Sequence, residues 1–367
     1  MTVLDDTVLA DPAALAALDS SGVLRSAATA GAQVRSTAHA AAEAGLAQLA
    51  DTRPRALVLV ARPGISASAT GILAALLGPT CPVPVVVSEL VPTWVGALDV
   101  VLAHTGDGTD YELADAIGRA ARRGAEVVLS APAEGPVASA GAGRVRLVEP
   151  RVPVPPGLDL PRALAVGFVV LAQLGLLGSD HGLGDELGPV ADVLDAEAER
   201  NQPGHEPFMN PAKALALRLA DHTPLLWGTD PVAAAVAAHG VRALATHAGQ
   251  VAHGADAADG VTAAGLLRAL ATGAADIFHD PFADGGDSDV AAPPPRVVLL
   301  GTEEEDPVRA LLRRTGRDLP APDVVHPVEE VARGTRNAAL LRAVLLASRL
   351  DVAAVYLGLA TRMITPA

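Results

Sequence analysis

A chain of 367 residues with a formal charge of −15 is long enough for two domains with full cores. Its sign disfavours nucleic acid and anionic membrane as partners, because both would be repelled. Half of the residues are hydrophobic but only 2% are aromatic, so the core is expected to consist of Ala, Val and Leu.

Cys81 is the single cysteine, which rules out an internal disulfide, and the acidic start MTVLDDTVLADP lacks the basic region of a signal peptide. Both point to the cytoplasm. Asp11 and Pro12 make an N-cap and N1 pair for a first helix, and an Ala-rich helix is expected over 24–49. Residues 56–61 are a continuous apolar run, the pattern of a strand covered on both faces in a parallel sheet. Pro63 and Gly64 end it. Ser66, Ser68 and Thr70 follow, and Ile72, Leu73, Leu76 and Leu77 then recur at helical spacing. A strand opening into hydroxyl and glycine residues at a helix N-terminus leaves N–H groups that favour an anion such as phosphate.

Further strands are expected over 83–87 and 98–103. The second runs into His104-Thr105-Gly106-Asp107-Gly108-Thr109, another turn rich in hydroxyl and glycine, before a helix over 111–123. Strands over 126–130 and 145–148 complete a parallel, doubly wound sheet. Ligands of such sheets bind outside the C-terminal ends of the strands, where both turns would lie. The Pro-rich stretch 150–162 marks a domain boundary. The apolar run 163–178 is interrupted by Gln173 and is shorter than the ~20 residues that span a bilayer, so it reads as a buried helix. A second α/β unit follows, with strands expected over 224–227, 296–301 and 324–325 and a closing helix over 337–359.

Three segments carry a resemblance to a known family. Leu160-Pro161-Arg162-Ala163 after the Pro-rich stretch, Asn210-Pro211-Ala212-Lys213-Ala214-Leu215-Ala216 before a strand, and Gly334, Leu340-Leu341 and Val355-Tyr356-Leu357 near the end follow one another in a familiar order. This order resembles the bifunctional phosphoglucose/phosphomannose isomerases of the sugar isomerase (SIS) fold. The resemblance implies two tandem three-layer αβα domains with parallel sheets, over 1–152 and 206–367, joined by a linker and interdomain helices over 153–205, in a homodimer. It implies that a sugar phosphate is held by Gly64 and Ser66 of the first turn and by Thr105, Gly106 and Thr109 of the second. Asp107, Asp110 and Glu112 crowd the second turn with negative charge, so an arginine, Arg62 or Arg162, must answer the phosphate. No cofactor, metal, nucleic acid or membrane is implied.

Isomerising an aldose phosphate to a ketose phosphate needs a base poised near neutral pH. The family uses a glutamate, yet no glutamate stands between Glu206 and Glu303. His247 occupies the corresponding stretch, and His279, in Phe278-His279-Asp280-Pro281, stands nearest to the family's ring-opening histidine. Two functions follow: an isomerase with a rebuilt site using His247 and His279, or a sugar-phosphate-binding sensor or partner that lacks the reaction. Other chemistries lack their signatures. The first turn has no G-x-G-x-x-G, His239, His247 and His253 do not form H-E-x-x-H, and no G-x-S-x-G elbow is present.

Overall fold

The computed structural model describes residues 5–141, 143–177, 187–275, 293–319 and 321–364. The elements run in chain order as α1 (Asp6–Ala10), α2 (Pro12–Leu18), α3 (Val23–Ala27), α4 (Ala30–Glu43), a 3-10 turn (Leu46–Asp51), β1 (Ala56–Val60), α5 (Ile65–Leu77), β2 (Val85–Ser88), β3 (Asp99–His104), α6 (Tyr111–Arg122), β4 (Glu126–Ser130), α7 (Pro136–Ser139), β5 (Val145–Val148) and α8 (Leu160–Gln173). After them come α9 (Gly188–Arg200), α10 (Pro211–Leu219), β6 (Thr223–Gly228), α11 (Pro231–Ala243), a π turn (Leu244–Ala248), β7 (His253–Asp256), α12 (Ala257–Gly260), α13 (Ala264–Ala275), β8 (Pro295–Leu300), α14 (Pro307–Thr315), β9 (Asp323–Val325) and α15 (Ala338–Ala360).

The chain divides into two units, each built on one wholly parallel sheet. The first holds Gly22–Glu199 and Glu329–Ser348, with strand order β2-β1-β3-β4-β5. The second holds Met1–Ser21, Arg200–Val328 and Arg349–Ala367, with order β7-β6-β8-β9. The expected bounds are 1–152, 153–205 and 206–367; the two units run along different segments. The Asp5 N–H donates to the Ala360 carbonyl, which fastens the start of the chain into the unit of the second sheet. The expected interdomain helix α8 is a layer of the first unit, packed on α4, α5, β3 and β4.

Each sheet is the middle of three layers. In the first unit Val58, Val60, Val101, Ala103, Val127 and Leu129 face Leu113, Ile117 and Ala120 of α6, while the alternate residues Leu57, Leu59, Val100, Leu102 and Val128 lie on the opposite face. In the second, Leu225, Trp227, Val297 and Leu299 pack with Ala257, Val261 and Leu311, and Leu226 meets α11 and Leu350 of α15 around Gly240. Small residues let these layers approach closely, as the scarcity of aromatics requires.

Three helix starts in the second unit share one device. Asn210-Pro211, Asp230-Pro231 and Asp306-Pro307 place a proline at the first helical position behind a side chain that accepts from the third N–H of the helix. One expectation fails and one strand goes unforeseen, both for lack of pattern. The single helix over 24–49 is observed as α3, α4 and the 3-10 turn, broken at Thr29 and at Gly45, whose φ is +72°. β7, His-Gly-Ala-Asp, is an edge strand with no apolar alternation, so nothing in its residues announced it.

Lys213, the sole lysine of the sequence, is fully buried on α10. Its ammonium donates to the Pro203 and His205 carbonyls at 2.7 and 2.8 Å and lies 5.5 Å from the Tyr356 ring. Burial pushes its pKa down, against the opposing pull of Glu206. Among the described residues one helix, α15, is long and apolar enough to cross a bilayer, and its most apolar stretch is wholly buried.

Candidate functional site

Four chain segments converge on the C-terminal edge of the first sheet: the turn from β1 to α5, the turn from β3 to α6, the last residue of β4, and the head of α8. β1 and β3 are hydrogen-bonded neighbours in register from Ala56↔Asp99 to Val60↔Ala103, so their outgoing turns leave side by side.

Gly64 begins α5 with φ +92° and offers no side chain to cap it. That conformation favours glycine, and no side chain satisfies the first N–H groups of α5. Ser66 is buried. Its hydroxyl donates to the Val60 carbonyl at 2.8 Å and accepts from the Arg62 N–H at 3.2 Å, tying the turn to its own strand. In the second turn the Thr105 hydroxyl exchanges bonds with the Asp107 backbone, and the Thr109 hydroxyl and N–H both donate to Asp107. The two Thr109 bonds lower the Asp107 pKa. All three hydroxyls thus engage the backbone or side chains of their own turns.

The crowded acids of the second turn are answered by Arg62. Its guanidinium donates to Asp110 at 2.7 and 3.2 Å, to Glu89 at 3.3 Å and to Glu112 at 3.3 Å. Burial works against its charge, but Asp110 and Glu112 outweigh burial and raise its pKa. Arg62 thus commits four of its five N–H groups to carboxylates, and of the two arginines considered for phosphate Arg162 keeps more donors to spare.

Arg162 is 8% exposed, in the first turn of α8. One of its terminal nitrogens donates to Asp159 at 3.0 Å, and its buried Nε has no hydrogen-bond partner. Buried polar groups of folded proteins are almost always satisfied, so an unpartnered guanidinium nitrogen calls for an acceptor from outside the chain. Asp159 stands at the N-cap of α8 yet does not cap it. Its carboxylate instead accepts from Arg162 and from His104 Nε2, at 2.9 Å. The other imidazole nitrogen, Nδ1, lies 3.0 Å from Ser130 Oγ. Burial acts to raise the Asp159 pKa, but the His104 bond and the charges of His104 and Arg162 prevail and hold it below the ordinary carboxylate value. Burial lowers that of Arg162, with Asp159 opposing.

Ser130, His104 and Asp159 have the order of a hydrolytic triad, but Ser130 is wholly buried and presents no nucleophile. Sequence reading picked out Arg162 and the turn, and missed Ser130, His104 and Asp159 as its companions. Ser130 and Asp159 stand 26 and 55 positions from His104; the β3–β4 register brings Ser130 to His104, and the packing of α8 on those strands brings Asp159. Gly106 lies beside this group, since a Cβ on it would be 3.6 Å from Asp159.

Gly64, Ser66, Thr105, Gly106, Thr109 and Arg162 thus belong to one unit. His247 belongs to the other. It is buried in the π turn after α11. His279 falls outside the described residues. Among the described residues no three His, Cys, Asp or Glu side chains gather in a group suited to a metal.

No protein-family model matches this sequence, and no curated protein matches it. Solved structures do. A Silicibacter pomeroyi DSS-3 protein classed as a phosphosugar isomerase has a TM-score of 0.58 at 15% identity, over 94% of this chain and 99% of that one. The C-terminal domain of glucosamine-fructose-6-phosphate aminotransferase from Francisella tularensis gives 0.58 at 10% identity, over 93% and 96%. Tagatose-6-phosphate ketose/aldose isomerase from Escherichia coli gives 0.55 at 12% identity, over 94% and 93%. The chain therefore has the fold of the SIS-type phosphosugar isomerases, with two parallel-sheet α/β units in tandem.

Proposed function

We propose that this protein binds a sugar phosphate at the C-terminal edge of its first sheet. The observation that carries this reading is Arg162, a buried guanidinium with an unpartnered Nε at the head of α8, beside the Thr105-Gly106 turn. The phosphate takes donors from Arg162 and from the uncapped start of α5 at Gly64. Ser66, Thr105 and Thr109 contribute by shaping the turns, and by their hydroxyls where these rotate toward the ligand. Candidate substrates are glucose 6-phosphate, mannose 6-phosphate and fructose 6-phosphate.

Binding without turnover is the form of this proposal the geometry favours. The glutamate that would move the proton is absent from 207–302, and His247 is buried in its turn. Aldose–ketose isomerisation with His247 as base and His279 in ring opening is the second reading, supported by the isomerases among the structural neighbours.

Fructose 6-phosphate at a hundredfold excess over its dissociation constant should stabilise the protein by about 2.7 kcal/mol. That is a rise of several degrees in melting temperature, to be followed by differential scanning fluorimetry. Arg162→Met should abolish the shift. An unchanged melting temperature in wild type at millimolar ligand refutes the binding site. Exchange of solvent hydrogen into the second carbon of the sugar separates the two readings: only the isomerase supports it.

A further inference from the structure

The head of α8 holds a second buried polar atom without a partner, and this one is an acceptor. Gln33 of α4 is 2% exposed. Its Nε2 donates at 3.0 Å to the carbonyl of Leu158, the residue before Asp159. A carbonyl can only accept, so the amide nitrogen must face it, and Oε1 is left buried with no partner. The nitrogen and oxygen of one amide are about 2.2 Å apart, so Oε1 stands no more than about 5 Å from the Leu158 carbonyl. That carbonyl opens the turn carrying Asp159 and Arg162. The position of Gln33 is fixed from behind. The Ser36 and Thr37 hydroxyls both donate to its main-chain carbonyl, and Gly31, two residues earlier, leaves no room for a Cβ against Ala191 and Asp195 of α9.

Two buried atoms of opposite sense therefore belong to one turn: Arg162 Nε, a donor, and Gln33 Oε1, an acceptor. A phosphate dianion only accepts, so it answers the first and not the second. A hydroxyl donates, and answers the second. We propose that Gln33 reads a hydroxyl of the ligand, so that the site selects a polyhydroxylated phosphate ester over the same ester stripped of that group. The inference rests on the sugar-phosphate reading and adds to it the residue that recognises the sugar. The cost of burying an unmade acceptor is already present in the free protein, and a hydroxyl that reaches Oε1 removes it on binding. An analogue without the hydroxyl leaves it in place, which is how a polar site rejects a deoxy ligand.

The test is calorimetric titration of the full chain, wild type and Gln33→Met, with fructose 6-phosphate and with each of its monodeoxy analogues. In wild type one analogue should bind about tenfold more weakly than the parent. In Gln33→Met the parent should weaken to the level of that analogue, while the analogue itself binds both proteins alike. The last comparison separates a lost contact from a loosened α8 head, which would weaken parent and analogue together. If the variant does not fold, NMR of wild type decides: the side-chain carbonyl carbon of Gln33 should shift on adding fructose 6-phosphate and stay in place with the weak analogue. Equal affinity of wild type for every analogue, undiminished discrimination in Gln33→Met, a loss shared by parent and analogue, or an unmoved Gln33 carbonyl overturns the role of Gln33 and leaves the binding reading standing. Absence of any binding heat or thermal shift with fructose 6-phosphate removes both.

Discussion

Replacing Asp159 with alanine should destabilise the protein by about 3–5 kcal/mol, because it leaves the buried Arg162 charge without its counterion. Asp159 is 7% exposed and Arg162 8%, so neither can recover its hydration cheaply. The carboxylate also holds His104, and its loss frees an imidazole bond at the end of β3. The effect should be read from the urea midpoint at neutral pH. A second substitution sharpens it. Arg162→Met in the Asp159→Ala background should recover most of the loss, since an apolar pair of similar volume can replace a buried ion pair at little cost. Failure of the double variant to recover would show that the loss comes from packing.

The pH dependence follows with a definite sign. The folded carboxyl of Asp159 titrates below its unfolded value of about 3.9, so its stabilising contribution is complete above that pH. It is lost as the pH falls through the depressed folded value. Wild type should therefore lose more stability than Asp159→Asn on acidification below about pH 4, and parallel curves for the two proteins would contradict the assignment.

The second large effect is expected at Gly228, the last residue of β6. A Cβ added there would run into the backbone nitrogen of Ala234 and the carbonyl carbon of Ala233, in the first turn of α11. Backbone cannot rotate aside as a side chain can, so α11 must lift from the sheet. The cost should reach about 3 kcal/mol or more, at the upper end for overpacking. The same change at Gly71 on α5, where an added Cβ meets nothing within 4 Å, should stabilise by roughly 0.5–1 kcal/mol. One substitution with opposite signs at two helical layers tests the packing directly by thermal melting. A neutral Gly228→Ala would mean that α11 sits farther from β6 than described.

How much of this could be read in the residues themselves depended on whether the information was local. β1, β3, β4, β6 and β8 are short apolar runs bounded by Gly, Pro or hydroxyl residues, and each lies within a residue or two of its expected place. The Ala-rich stretch before β1 has apolar residues on every face, so periodicity could not show where α4 ends and the 3-10 turn begins. β7 has no apolar pattern at all. At the site, Arg162 stood out through its motif and the turns through their glycines and hydroxyls. That Arg62 reaches across to Asp110 and Glu89, and that Asp159 pairs with His104, depend on strand order and on the packing of α8 and were invisible. The sequence did show that the second turn needed a guanidinium, and Arg62 supplies it, spending four of its five N–H groups on Asp110, Glu112 and Glu89.

The interior position of Lys213 has a practical consequence. In the folded protein no lysine amine meets solvent, so reagents that acylate or crosslink lysine side chains find no target while the second unit stays closed. Acylation of Lys213 then becomes a clock for the opening of α10 away from Tyr356, and enzymes that tag proteins through side-chain amines could act on this one only after it has begun to unravel.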